Sequence, residues 1–102
     1  MEQFKREGSG FNYVFEHTFA EEGPLDIVLE MPSVSPNKRS VADIAWQSEG
    51  GVLLYATIAS KPDSVNAMWQ QINPGEAING AVTALKISGD VGSKIIIRVI
   101  MN

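Results

Sequence analysis

The 102-residue chain contains no cysteine, which excludes disulfide scaffolds, thiolate metal sites, thiol catalysis and redox switching. It contains one histidine, His17, so a metal centre with several histidine ligands cannot form within one chain. No apolar run approaches the roughly 20 residues that span a bilayer. The N-terminal segment, residues 1–7, lacks the apolar core of a signal peptide. We therefore expect a soluble protein with no membrane partner and no signal peptide.

Positive charge is scarce, because 8 lysines and arginines stand against 12 acidic residues and give a formal net charge of −4. Nucleic-acid binding requires a basic surface interleaved with aromatic residues, and this chain has none, so we expect no nucleic-acid partner. The acidic residues are concentrated in the first half of the chain. Two interpretations stay open: solvated strand faces, or an acidic face that meets a neutral one in an assembly.

The length suits one domain with one core. By surface scaling, a chain of 11.1 kDa buries about 65% of its unfolded surface, which suffices for folding without covalent links. The polar segment 1–10, which contains Gly8, Ser9 and Gly10, is typical of a flexible N-terminal arm. We expect the single domain to cover residues 11–102.

Apolar and polar residues alternate along most of the chain, which is typical of half-buried strands. Turn-forming residues separate the alternating segments. We expect strands at Phe11–Ala20, Leu25–Met31, Val41–Gln47, Val52–Ala59, Ala81–Ser88 and Ser93–Met101.

Gly50 and Gly51 lie between two of these segments, and this pattern predicts an antiparallel hairpin. The stretch 61–80 is irregular: we favour a long loop over a short helical turn capped by Asp63 or Ser64. These elements predict an all-β fold, namely a single-domain antiparallel two-layer sandwich, jelly-roll-like, of six or seven strands.

No catalytic constellation is evident in the sequence. His17 lies among aromatic residues and is better explained by packing than by base catalysis. A carboxylate pair for glycoside hydrolysis is conceivable if Glu16 neighbours Asp26 or Glu30, but solvent-facing acids are the simpler interpretation. No phosphate-binding loop or calcium-loop motif is present. We expect no catalytic residue, no metal site and no cofactor.

The aromatic residues offer an alternative function. Trp46 alternates in phase with Ile44, which favours burial, whereas Trp69 in the irregular stretch is a better candidate for exposure at one end of the core. Trp69 and Tyr55, with Asn66 and Gln70 as hydrogen-bonding neighbours, would form a carbohydrate-binding platform.

The C-terminal strand is the most unusual feature, because apolar residues occur on both of its faces. A two-layer sandwich covers one face of each strand, so the second face should meet another subunit or segment. An apolar face of about 300 Å² would contribute on the order of 7 kcal/mol at roughly 25 cal/mol per Å². We expect a subunit interface formed by one of two opposite sets, either Ile96, Arg98 and Ile100 or Ile95, Ile97, Val99 and Met101.

A family resemblance covers about half of the chain. The segments that carry it are Tyr55–Pro62, Met68–Gln70, Ile72, Pro74–Glu76, Ile78–Asn79, Ala84–Ile87 and Ile97–Asn102. With the polar N-terminal arm and the strand–turn–strand rhythm, they resemble the small β-structured virion proteins of tailed phages. The resemblance implies a capsid decoration (cement) or fibre subunit, usually a homotrimer, that binds a protein lattice and catalyses nothing. It carries over no functional residue.

We therefore expect a non-enzymatic virion structural protein, made in the host cytoplasm, whose partners are copies of itself and a major capsid or other virion protein. On this hypothesis the arm tethers the subunit to its partner through Phe4, Lys5 and Arg6, while Trp69 seals one end of the core.

Overall fold

A computed structural model describes residues 4–7, 12–31, 42–59, 63–76, 78–80 and 82–101. These residues form nine β-strands and no helix. The described part of the chain therefore contains no helix that could span a membrane. The prediction of an all-β fold is confirmed. The strands are β1 (Lys5–Glu7), β2 (Asn12–Thr18), β3 (Asp26–Glu30), β4 (Ala42–Glu49), β5 (Val52–Thr57), β6 (Gln70–Ile72), β7 (Ile78–Gly80), β8 (Ala84–Gly89) and β9 (Lys94–Met101).

The strands form two antiparallel sheets, a five-stranded sheet in the order β1-β2-β9-β4-β7 and a four-stranded sheet in the order β3-β8-β5-β6. From β2 to β9, every connection except that from β5 to β6 passes from one sheet to the other. Strands β2 to β9 thus have the connectivity of an eight-stranded jelly roll, and β1 is added at one edge. The predicted jelly-roll-like sandwich is confirmed; the short strands β1, β6 and β7 raise the strand count above the predicted six or seven.

The core lies between the sheets and is built from the inward-facing residues of the alternating segments. Leu54, Leu85, Ile87, Ile95 and Ile97 have no measurable exposure. Among the described residues, the buried cluster contains Phe15, Phe19, Ile27, Leu29, Ile44, Trp46, Val52, Leu54, Ala56, Ile72, Val82, Leu85, Ile87, Ile95, Ile97 and Val99.

The predicted hairpin at Gly50–Gly51 is wrong. Strand β4 pairs with β9 and β7, whereas β5 pairs with β8 and β6, so this turn connects the two sheets. Gly50 has a φ of +91°, and a Cβ placed there would lie 2.6 Å from the Ser93 hydroxyl oxygen. A glycine pair can adopt the backbone conformation of a hairpin turn and also that of a turn between two sheets. The local sequence therefore cannot distinguish these two connections.

The predicted flexible arm is also wrong over its described residues. Lys5–Glu7 pairs with β2, with Lys5 opposite Val14. Phe4 packs edge-on against Phe15, with 6.1 Å between the ring centroids, and is partly buried against the core. The remaining arm residues, 1–3 and 8–10, lie outside the described part of the chain.

In the stretch 61–80, the described residues 63–76 and 78–80 contain no helix, but the favoured long loop is wrong where β6 and β7 form. A hydrogen-bonded β-turn spans residues 64–67, in which the Ser64 hydroxyl accepts from the Asn66 N–H at 3.2 Å and the Ser64 carbonyl accepts from the Ala67 N–H at 3.1 Å. The short strands β6 and β7 were not predicted, since three residues are too few to show an alternation.

Candidate functional site

Strand β9 is central in the five-stranded sheet, with β2 on one side and β4 on the other. Its residues alternate: Ile95, Ile97 and Val99 are at most 1% exposed, whereas Ile100 is 51% exposed. Ile96 is half-buried and Arg98 is exposed. One face of β9 is therefore covered by the core, as expected for a two-layer sandwich, and the opposite face carries the half-buried Ile96 and the exposed Arg98 and Ile100.

This alternation places the two predicted interface sets on opposite sides of the larger sheet. Ile95, Ile97 and Val99 belong to the core and cannot contact a partner while the sandwich is intact; the side chain of Met101 lies outside the described part of the chain. The opposite set, Ile96, Arg98 and Ile100, faces outward. Val14 of β2 lies directly opposite Arg98 and is half-buried on the same face. We call the four side chains Val14, Ile96, Arg98 and Ile100 the β9 face.

Charged residues on the same sheet surface are arranged in cross-strand rows. One row contains Lys5, Val14, Arg98 and Ala45, so Arg98 has uncharged residues directly opposite on both sides. In another row Glu49 lies directly opposite Lys94. Directly opposite charges of unlike sign attract each other across a sheet. Glu49 and Lys94 thus carry opposite charges at directly opposed positions, whereas the row of Arg98 and Lys5 contains two positive charges and no negative one.

A groove of about 680 Å³ adjoins the β9 face, and we call it the edge groove. Only alternate, outward-facing residues of β9 line it, whereas five consecutive residues of β4 do so. The groove thus crosses the surface of β9 and then follows the side edge of β4. Its lining residues are Ala45, Trp46, Gln47, Ser48, Glu49, Pro74, Gly75, Glu76, Lys94, Ile96 and Arg98.

Within the described residues, the edge of β4 away from β9 has a pairing partner along only part of its length. Strand β7 pairs with Ala42–Ile44, whereas β9 pairs with all of Ala42–Glu49. In an antiparallel ladder, alternate residues direct their N–H and C=O groups to opposite sides of the strand. Two or three residues of Ala45–Glu49 therefore direct these groups towards the groove and away from β9. Ala77, which precedes β7, lies outside the described part of the chain.

The far wall of the edge groove is the turn Asn73–Glu76. The Glu76 carboxylate accepts one hydrogen bond from the Asn73 side-chain amide at 3.0 Å and another from the Asn73 backbone N–H at 3.4 Å. The Glu76 N–H donates to the Asn73 carbonyl at 3.1 Å, and Gly75 has a φ of +83°. These contacts preform the wall and engage the Glu76 carboxylate within it.

The candidate catalytic groups are not brought together. Glu16 lies on the outer surface of the five-stranded sheet, whereas Asp26 and Glu30 lie on the outer surface of the other sheet. The carboxylate pair considered for glycoside hydrolysis is therefore not formed. His17 is half-buried, stacks on Phe15 and meets the edge of Phe19 with 4.8 Å between the ring centroids. In the described residues, no cluster of acidic and histidine side chains suited to a metal ion occurs.

Trp46 is 3% exposed, as favoured from the sequence. Tyr55 and Trp69 are half-buried, and the Lys86 ammonium lies 4.8 Å from the centroid of the Trp69 ring, so one face of this ring is already in contact. Asn66 is exposed in the turn that follows Ser64. Tyr55 lies directly opposite Gln71 and shares a sheet face with it, so the neighbouring Gln70 lies on the other face. The four residues of the carbohydrate-binding alternative therefore do not share one surface.

No protein-family model matches the chain. No match is found among curated proteins or among solved structures either. The function must therefore be argued from the geometry of the chain itself. Sequence reasoning identified the β9 strand but missed the edge groove, although the Asn73-Pro74-Gly75 turn signal marks its far wall.

Proposed function

We propose that this chain is a non-enzymatic virion structural protein, a capsid decoration (cement) subunit that self-associates and binds a protein lattice. The observation that carries the proposal is the β9 face, where the central strand of the larger sheet presents Ile96 and Ile100 outward beside Val14. Central strands of a sheet exposed to water normally carry polar residues on the open side. Apolar residues at the centre of a polar sheet surface fit the anatomy of a subunit interface.

A second group of exposed apolar residues supports binding to a lattice in addition to self-association. The segment between β5 and β6 exposes three large apolar side chains: Ile58 is 76%, Val65 is 99% and Met68 is 86% exposed. Such side chains gain free energy when a partner covers them. Of the three residues of the predicted tether, Phe4 is packed against the core, Lys5 is exposed, and the side chain of Arg6 lies outside the described part of the chain.

The architecture is compatible with the proposal, because jelly rolls occur in viral capsid proteins, lectins and cupins. The fold alone does not determine function. With one histidine in the whole sequence, a metal site built from several histidines of this chain is excluded. The proposal retains a homotrimer, a major capsid or other virion protein as partner, and a virion location after synthesis in the host cytoplasm.

Replacing both Ile96 and Ile100 by serine is expected to weaken self-association at least about tenfold, because the variant loses apolar contact area at the centre of the interface. Multi-angle light scattering over a concentration series measures the effect. Both residues are outward-facing, so circular dichroism should show an unchanged fold.

The matched control replaces Val28 and Leu53 by serine. These residues are 53% and 45% exposed on the outer surface of the four-stranded sheet, and the control variant should associate like the unmodified chain. The assignment of the interface to the β9 face would be contradicted if both variants lost association equally, or if neither variant lost it.

The virion assignment has a separate test in the genome that encodes the chain. Genes for capsid or tail proteins should lie beside its gene, and the purified chain should co-sediment with capsids assembled from the neighbouring capsid gene. Absence of such genes, or a chain that stays in the supernatant, would refute the virion assignment while leaving self-association intact.

A further inference from the structure

Strand β3 forms one edge of the smaller sheet and has no pairing partner on its outer side within the described residues. It stands at the end of the order β3-β8-β5-β6, so β8 pairs with one side of it only. The unpaired N–H and C=O groups of such an edge can pair with a second extended chain. Five residues of a strand span roughly 16 Å at about 3.3 Å per residue, which suits a short segment.

The hydrogen bonds between β3 and β8 show which residues carry the unpaired groups. The Gly89 N–H donates to the Leu25 carbonyl at 3.0 Å, and the Met31 N–H donates to the Thr83 carbonyl at 3.0 Å. In an antiparallel ladder, residues that bond to the neighbouring strand alternate with residues whose groups point to the other side. The odd-numbered residues of β3 therefore bond to β8, and the even-numbered residues direct their groups to the open edge.

The even-numbered residues of β3 are Asp26, Val28 and Glu30. All three side chains are exposed, and Val28 is 53% exposed. The open edge thus presents one apolar side chain between two carboxylates. An added strand would place one residue directly beside each of the three, because opposed residues in a sheet have Cβ atoms about 4.5–5.5 Å apart.

The charges along this edge have one sign. Residues 19–31, which include the turn before β3 and the strand itself, contain four acidic residues and no basic one. In the adjoining strand, Lys86 lies opposite Val28. Its ammonium lies 4.8 Å from the centroid of the Trp69 ring, and Trp69 directly precedes β6 at the far edge of the sheet. These charges favour a basic occupant.

A second copy of β3 is disfavoured as the occupant. If two β3 strands paired antiparallel with full overlap, Asp26 of each copy would lie directly opposite Glu30 of the other. Like charges at directly opposed positions destabilise a strand pair. The two carboxylates therefore oppose pairing of the edge with itself and attract a basic strand.

We propose that the open edge of β3 binds an extended basic segment of a partner protein by strand addition. The segment places an apolar residue beside Val28 and a lysine or arginine beside Asp26 and Glu30, so its basic residues stand four apart. The inference rests on the proposed binding to a lattice protein and specifies the segment that this protein supplies. The β9 face stays available for self-association, because it belongs to the other sheet.

Amide hydrogen exchange of the free full chain, followed by NMR, tests whether the edge is open. The amides of Asp26, Val28 and Glu30 should exchange rapidly, whereas those of Ile27 and Leu29 should be protected by their bonds to β8. This alternation uses the unmodified chain and does not depend on how any variant folds.

A displayed library of random 12-residue peptides, selected on the immobilised full chain, tests the chemistry of the occupant. Enriched peptides should carry two basic residues four apart, with a β-branched or aromatic residue midway between them. A synthetic peptide of the enriched sequence, titrated into the chain by fluorescence anisotropy, should bind more weakly as salt is raised. In the complex, the amides of Asp26, Val28 and Glu30 should become protected.

Two substitutions at Val28 test the backbone contact. Val28→Pro removes an N–H that β8 does not use, and proline is tolerated where the missing N–H faces away from the sheet. This variant should weaken peptide binding at least about tenfold. The matched control Val28→Ala keeps the N–H and should weaken binding less than about threefold.

Two double variants with the same change in net charge test the ionic contacts. Asp26→Asn combined with Glu30→Gln should weaken peptide binding about fivefold, as expected for loss of two exposed ion pairs. Glu16→Gln combined with Glu49→Gln removes two charges from the outer surface of the larger sheet and should alter binding less than about twofold.

Three results would overturn the proposal: protection of the three edge amides already in the free chain, no enrichment of basic peptides, or equal effects within either pair of variants. A chain that binds the basic peptide but does not co-sediment with capsids would refute the lattice role and leave the edge assignment intact. Co-sedimentation of a chain that selects no basic peptide would refute the edge assignment alone.

Discussion

Replacing Ile97 by alanine should lower the free energy of unfolding by about 2–5 kcal/mol, because the loss of a buried isoleucine combines lost burial with an unfilled cavity. Ile97 has no measurable exposure and occupies the middle of the central strand. It lies directly opposite Phe15 on one side and Trp46 on the other. These two rings belong to strands held by their own pairing, so they cannot close the cavity without distorting the sheet.

Urea unfolding followed by circular dichroism measures this loss. The matched control is Ile100→Ala, three residues further along the same strand, where the side chain is 51% exposed. In the monomeric state the control should lose less than about 1 kcal/mol. Equal losses at both positions would contradict the inward and outward assignment of β9.

Gly89→Ala should destabilise the protein by about 2–3 kcal/mol through overpacking. A Cβ at this position would lie 2.5 Å from two atoms of the Phe19 ring. Phe19 is 1% exposed, and both polar groups of its backbone are hydrogen-bonded. The Phe19 N–H donates to the Ser93 carbonyl at 2.8 Å, and the Phe19 carbonyl accepts from the Gly92 N–H at 2.7 Å. The backbone of Phe19 is thus held in place, and its ring can move aside only by displacing neighbouring side chains of the core.

The thermal midpoint of Gly89→Ala should fall, whereas that of Gly23→Ala should change little. A Cβ at Gly23 would have its nearest neighbour at 3.7 Å. Combining Gly89→Ala with Phe19→Leu should cost less than the sum of the two single substitutions, because the smaller side chain removes the clash. Strict additivity would show that the clash with Phe19 is not the cause.

The sequence predicts the strands well, because alternation directly reports which residues face a core. It identified Ile44 and Trp46 as one buried face and the Ile-rich terminal segment as a strand. The sequence does not reveal which strands are neighbours. The Gly50–Gly51 turn illustrates this limit, since its backbone conformation suits both a hairpin and a crossing between sheets, and the choice depends on the distant strand β9.

The candidate site was predictable to the same extent. The composition of β9 indicates that an apolar face remains beyond the core, but only its pairing with β2 and β4 shows that Ile96 and Ile100 form that face. The edge groove was not predictable, because it depends on where β7 stops pairing and on where the turn Asn73–Glu76 stands in space.

The central claim is that the β9 face is covered by another copy of the chain. Sedimentation velocity of the unmodified full chain, from micromolar to millimolar concentration, tests it most directly. We predict a species whose mass is a multiple of 11.1 kDa, with three copies as the favoured number, and its dissociation on dilution. A single species of 11.1 kDa across the whole range would contradict the account.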